Sequence, residues 1–161
     1  MMITNVRGAF GSVKGKVEFD PANPNDASVE VVIDASTIRT LDEQRDLHLK
    51  SADFLDIAKY PTITFRSTKI SLDGDGTAGV TGDLTIHGVT KPVTLKVEGP
   101  TAESKDPWGN VRVGASAATR INRSEFGLNW NAALESGGIM VADELTIELD
   151  VEMIRDPEPG T

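Results

Sequence analysis

The chain has 161 residues, a formal net charge of −9 and an isoelectric point near 4.7, so it can bury one core and is too acidic to favour phosphate backbones or anionic membrane surfaces. Cysteine is absent, which excludes disulfides, thiolate nucleophiles and cysteine metal sites, and the 5% aromatic content tells against stacking along single-stranded nucleic acid. No apolar run is long enough to cross a bilayer as a helix, and residues 1–7 carry no apolar signal core, so the chain as written is expected in the cytoplasm.

From Val6 to Phe19, glycines at 8, 11 and 15 interrupt Phe10, Val13, Val17 and Phe19. Phe10 lies on one parity and the other three on the opposite one. This predicts one long strand bent at glycine. Asp20 to Asp26 has turn composition, and Val29, Val31 and Ile33 then alternate with Glu30, Val32 and Asp34 as a half-buried strand. Leu41 to Lys50 breaks the alternation and has helical composition. Thr40 is its expected N-cap, with Glu43 three places on as in a capping box. Its apolar edge is modest, which places it across one end of the sheet as a lid or plug, with Phe54, Leu55 and Ile57 beside it.

Tyr60-Pro61 opens the next strand. Ile63 and Phe65 share a parity that Ile70 and Leu72 do not, so a bulge is expected near Ser67-Thr68. Asp73-Gly74-Asp75-Gly76 is a turn, after which Ala78, Val80, Gly82, Leu84 and Ile86 run in one phase. His87-Gly88 and Lys91-Pro92 mark a connection to a strand carrying Val93, Leu95 and Val97 on one face. A turn at Asp106-Pro107-Trp108-Gly109 precedes Val111, Val113, Ala115, Ala117, Thr119 and Ile121 in phase. Leu145, Ile147, Leu149, Val151 and Met153 form the last such row, opposite Glu144, Thr146, Glu148, Asp150 and Glu152.

About seven long antiparallel strands and one short helix result, and long amphipathic strands with bulges favour a barrel over a sandwich. Small residues on the dry face, Ala78, Gly82, Ala115 and Ala117, favour a cavity over a filled core. The candidate lining residues are Phe19, Val31, Ile33, Phe65, Leu84, Ile86, Leu95, Val113, Ala115, Ala117, Leu145, Ile147 and Leu149. Leu47, Phe54 and Leu55 are candidates for the closed end or the mouth.

Other motifs have plainer readings. Gly74 to Gly79 has the G-x-G-x-x-G spacing, but a strand follows where a phosphate-binding helix is needed, and the bidentate glutamate of a calcium loop is missing. Gly11 to Lys16 is one residue short of a phosphate loop, and Val17 stands where its Ser or Thr belongs. His48 and His87 lie far apart in sequence without ligand spacing, so no metal is expected. Asn122-Arg123-Ser124 is a formal glycosylation sequon, read as accidental. Arg123 and Glu125 read as an internal pair fixing a loop, with contact to a ligand head group as the alternative. No nucleophile motif is present, and no catalytic residue or cofactor is expected.

Several stretches in order carry a family resemblance: Val6-Arg7-Gly8-Ala9-Phe10, Arg45 to Phe54, Tyr60-Pro61-Thr62-Ile63-Thr64-Phe65, Gly82 to Val93, and Arg123-Ser124-Glu125-Phe126-Gly127. In these the chain resembles the YceI-like, polyisoprenoid-binding family of lipocalin-like barrels. The resemblance implies an all-β fold: an eight-stranded antiparallel barrel with one short helix, spanning residues 1–154, before a flexible tail at 155–161. It implies a polyprenyl chain or similar long-chain lipid as partner, and brings no catalytic set. It also implies a further strand ahead of Met1. An absent strand would leave unpaired edges through which a homodimer could form, and a leader lost with it would place the protein in the periplasm. The alternative reading is a filled barrel serving as a protein-interaction or stress-response module.

Overall fold

The computed structural model describes residues 8–18, 27–99, 104–129 and 143–154. Phe19, the 20–26 turn and the 155–161 tail lie outside the described residues, as does the Met153 side chain. In chain order the strands are β1 (Ala9–Phe10), β2 (Val13–Glu18), β3 (Ser28–Asp34), β4 (Ile38–Arg39), β5 (Thr62–Leu72), β6 (Thr77–Ile86), β7 (Val89–Glu98), β8 (Ser104–Lys105), β9 (Val111–Asn122) and β10 (Glu144–Ile154). The one α-helix described, α1, spans Glu43–Lys50.

The main sheet runs β10-β9-β7-β6-β5-β3-β2, antiparallel throughout, with β8 paired to β9. Among the described residues, no registered pair joins β2 to β10. The register carries one apolar face across the sheet. Val31 lies opposite Phe65, Phe65 opposite Leu84, Val80 opposite Leu95, Val97 opposite Ala117, and Ala117 opposite Leu149. The other face is polar and cross-linked, with Thr81 and Thr94 hydroxyls 3.0 Å apart, Thr85 and Thr90 hydroxyls 2.8 Å apart, and Arg66 ion-paired to Glu30 at 2.9 Å.

The expected bulge is present. The β5–β6 register shifts between Ser67 and Lys69, which brings Ile63 and Phe65 on one side of it, and Ile70 and Leu72 on the other, onto the apolar row of β6. The β6–β7 connection is tighter than the sequence implies. His87 (φ 56°) and Gly88 (φ 72°) form a two-residue hairpin turn, and β7 restarts at Val89. Pro92 therefore sits inside β7, opposite Asp83. Its missing N–H is tolerated because β7 pairs with β9 only over Lys96–Glu98.

Two local expectations are corrected. The glycine-bent strand is not continuous. It breaks at Gly11-Ser12, whose amides both donate to the Thr37 hydroxyl at 3.1 Å, so β1 pairs with β4 while β2 joins the main sheet. Thr40 is not the helix N-cap either. Asp42 takes that place, accepting from the Arg45 amide at 3.1 Å, after Leu41 has adopted φ 64°. Thr40 is instead buried, with its amide donating to the Asp46 carboxylate at 2.8 Å and its carbonyl accepting from Arg45 Nη2 at 2.7 Å.

The buried side chains form one cluster across the sheet. Ala35, on a one-turn 3-10 helix (Ala35–Thr37), joins Leu55, Ile63, Phe65, Leu84, Ile86, Phe126 and Leu128 in that cluster, and Phe126 is 1% exposed.

Candidate functional site

The candidate site is the apolar inner face. Phe65, Leu84, Ile86 and Leu95 are buried at its centre. Val31 and Ile33 on β3, Val113, Ala115 and Ala117 on β9, and Ile147 and Leu149 on β10 are half-buried on the same face. The face opens toward both margins: Val13 and Val17 on β2 are 41% and 45% exposed, and Leu145 on β10 is 39% exposed. Apolar rows at the two margins of one face are thus left in water while the middle is dry.

The end elements separate in the same way. Leu55 belongs to the packed core, and Phe54 is buried with its ring edge-on to His48 at 5.1 Å. Leu47 points away from both and is 68% exposed. Phe19 is outside the described residues.

Gly82 does not leave space as its size implies. A Cβ there would lie 2.6 Å from Phe65 Cζ and 2.4 Å from the Arg66 carbonyl oxygen, so the Phe65 ring already occupies the volume above the glycine. On β9, by contrast, Ala115 and Ala117 are half-buried. The glycine that relaxes β6 and the alanines that relax β9 look alike in sequence, and only the cross-strand neighbour distinguishes them.

Sequence reasoning missed Phe126 and Leu128 as core. Both follow from the Arg123–Phe126 3-10 helix, which Asn122 caps by accepting from the Ser124 amide at 3.0 Å and Gly127 ends at φ 74°. The sequon Asn122-Arg123-Ser124 is therefore a helix cap, and Asn-x-Ser ahead of Phe-Gly was the available signal. The expected Arg123–Glu125 pair is corrected. Arg123 is 3% exposed and donates to the Leu128 carbonyl at 2.7 Å, with the Asp143 carboxylate 3.7 Å away, whereas Glu125 faces solvent.

The polar groups elsewhere hold turns. His48 lies 2.8 Å from Asp53, and the His87 ring meets Tyr60 edge-on at 4.9 Å. Thr77 donates to both Asp73 and Asp75, closing the β5–β6 turn, and these hydrogen bonds hold the Asp75 carboxyl below its usual range. Among the described carboxyls, Asp106 is the most perturbed. Burial pushes it up, but hydrogen bonds from Arg112, Asn110 and the Trp108 amide outweigh that and hold it down at about 2. Each of these carboxylates accepts bonds within a turn and lies off the apolar face.

An antiparallel, all-β protein with one apolar sheet face and one short helix is thus the class that the fold and site define. A family model for the YceI-like domain matches residues 1–153. The chain belongs to the YceI-like family. A UPF0312 protein of Pseudomonas putida is 39% identical over 150 residues, covering 93% of this chain and 74% of that protein. A UPF0312 protein of Vibrio campbellii is 43% identical over 121 residues, covering 75% and 64%. Among solved structures, the Campylobacter jejuni YCEI protein superposes with a TM-score of 0.82 at 28% identity, over 98% of this chain and 89% of that one. A polyisoprenoid binding domain from Saccharophagus degradans superposes at 0.62 with 16% identity, over 93% and 85%, a likeness of fold.

Proposed function

We propose that the protein is a non-enzymatic binder of a long apolar lipid, polyisoprenoid or similar, held along the inner face of the sheet as it curls toward a barrel. The observation that carries this reading is the exposure gradient on one continuous apolar face, dry at β5–β7 and open at Val13, Val17 and Leu145. A hydrocarbon laid there removes both its own surface and those margins from water. Each buried methylene contributes about 0.8 kcal/mol before the costs of ordering. Length therefore gives affinity without directional contacts, and the width of the opening sets selectivity. The fold shared with a domain described as polyisoprenoid-binding supports the ligand class.

The filling at Phe65 and Phe126 favours a second reading, a solid core used as an interaction module. Replacing Ala115 and Ala117 together with Leu separates them. Under lipid binding, the co-purified lipid mass seen by native mass spectrometry disappears while the circular dichroism spectrum is kept. Lipid retained at the parent level in the double variant removes β9 from the site. A parent that neither co-purifies with lipid nor takes up a prenyl probe supports the module.

A further inference from the structure

A second site lies away from the apolar face, at the α1 end of the molecule. An open cleft of about 450 Å³ separates the β1–β4 pair from α1, and Gly11, Ile38, Arg39, Asp46 and Lys50 are among its walls. The chain has 25 acidic residues against 16 lysines and arginines, so an arginine left without a partner calls for a reason. Among the described residues, Arg45 is bonded to Thr40, Arg66 to Glu30, Arg112 to Asp106, Arg120 to Glu144 and Arg123 to Leu128 and Asp143. Among the described residues, the Arg39 side chain has no hydrogen-bond or ion-pair partner, and neither has the side chain of Lys50, which lines the same cleft.

Arg39 is nonetheless placed. Its guanidinium lies over Gly11, where a Cβ would come within 3.2 Å of Nη2, so the missing side chain at 11 lets the group lie over the cleft wall. The acidic wall residue is already engaged: Asp46 accepts from the Thr40 amide at 2.8 Å and from the Thr40 hydroxyl. A planar five-donor fork and a point charge lining one cleft fit an oxyanion with several outward oxygens.

The geometry points to a phosphoryl-binding site in this cleft, with Arg39 and Lys50 as its cations. A tetrahedral phosphoryl group turns more oxygens outward, in more directions, than a planar carboxylate, and so suits two cations on one cleft better. The phosphoryl group comes either from free phosphate or from the head of a prenyl phosphate whose tail passes Ile38, which lines the cleft and also packs against the core. The site stands independently of lipid binding on the sheet.

Three probes test it by isothermal titration: inorganic phosphate, farnesyl monophosphate and farnesol, each with the parent, Arg39→Gln and Lys50→Gln. Both variants change solvent-accessible side chains, and circular dichroism checks that α1 is kept. Saturable phosphate binding by the parent is expected, weakened about tenfold or more in each variant. If farnesyl monophosphate also outbinds farnesol, and Arg39→Gln removes that preference, the source is a lipid head group. If farnesol and farnesyl monophosphate bind alike in all three proteins, the source is free phosphate. A parent that binds neither phosphate nor farnesyl monophosphate overturns the site, as does phosphate affinity unchanged in both variants. Loss of farnesol binding alone counts against the lipid reading and leaves this one standing.

Discussion

Replacing Gly82 with Ala, beside the same change at Gly79, tests how the interior is filled. The two glycines lie on one strand, three residues apart, on opposite faces of β6. At Gly82 a Cβ would sit 2.4 Å from the Arg66 carbonyl oxygen, 2.6 Å from Phe65 Cζ and 2.8 Å from the Ser67 Cα. Two of these three atoms are backbone and cannot rotate away. The β5 bulge must open, or β6 must move off β5, and the Phe65 ring must leave its place. Overpacking of a tight core costs about 1–3 kcal/mol, and the backbone clash puts Gly82→Ala at the upper end, about 2–3 kcal/mol. For a chain of this size each kcal/mol shifts Tm by about 2–4 °C, so a fall of roughly 4–12 °C is expected. At Gly79 the nearest atom is Thr94 Cγ2 at 3.8 Å, ordinary contact, and Gly79→Ala is expected within about 0.5 kcal/mol of the parent. Thermal melts by circular dichroism, with urea titration as a second measure, read both. Equal Tm values for the two variants would refute the claim that Phe65 occupies the space above Gly82.

Asp106 makes one turn acid-sensitive. Its folded carboxyl sits at about 2, below the ordinary 3.8, so the stabilisation is present above about 3.8 and is lost as pH falls toward about 2. Trp108, 80% exposed on that turn, is expected to change its fluorescence over this window in a Trp130→Phe background, and Asp106→Asn is expected to abolish the change. At the helix, Asp42→Ala should cost about 1 kcal/mol in denaturant titrations because it removes the N-cap, whereas Glu43→Ala should cost a few tenths at most. Equal costs would return the cap to the Thr40–Glu43 box.

The alternation of apolar residues was enough to place the long strands from Val29 to Met153, and the parity switch between Phe65 and Ile70 was enough to place the bulge. Those patterns are local, because side chains of a strand alternate whatever lies across from them. The helix cap was misread because Thr40 and Asp42 are both good capping residues. The choice rests on Asp46 and Arg45, which draw Thr40 into a buried network. Pro92 was read as part of a connection because the sequence does not show that β9 pairs with β7 only beyond it, over Lys96–Glu98.

For the candidate site, residue type and phase by themselves determined which side chains share the apolar face, since a period of two admits only two faces. How much of that face is filled was decided by packing between strands distant in sequence. Phe65 closes over Gly82, while Ala115 and Ala117 stay half-covered. The volume available to a ligand is a difference between large filled volumes, and that difference is set by which side chains meet across the fold.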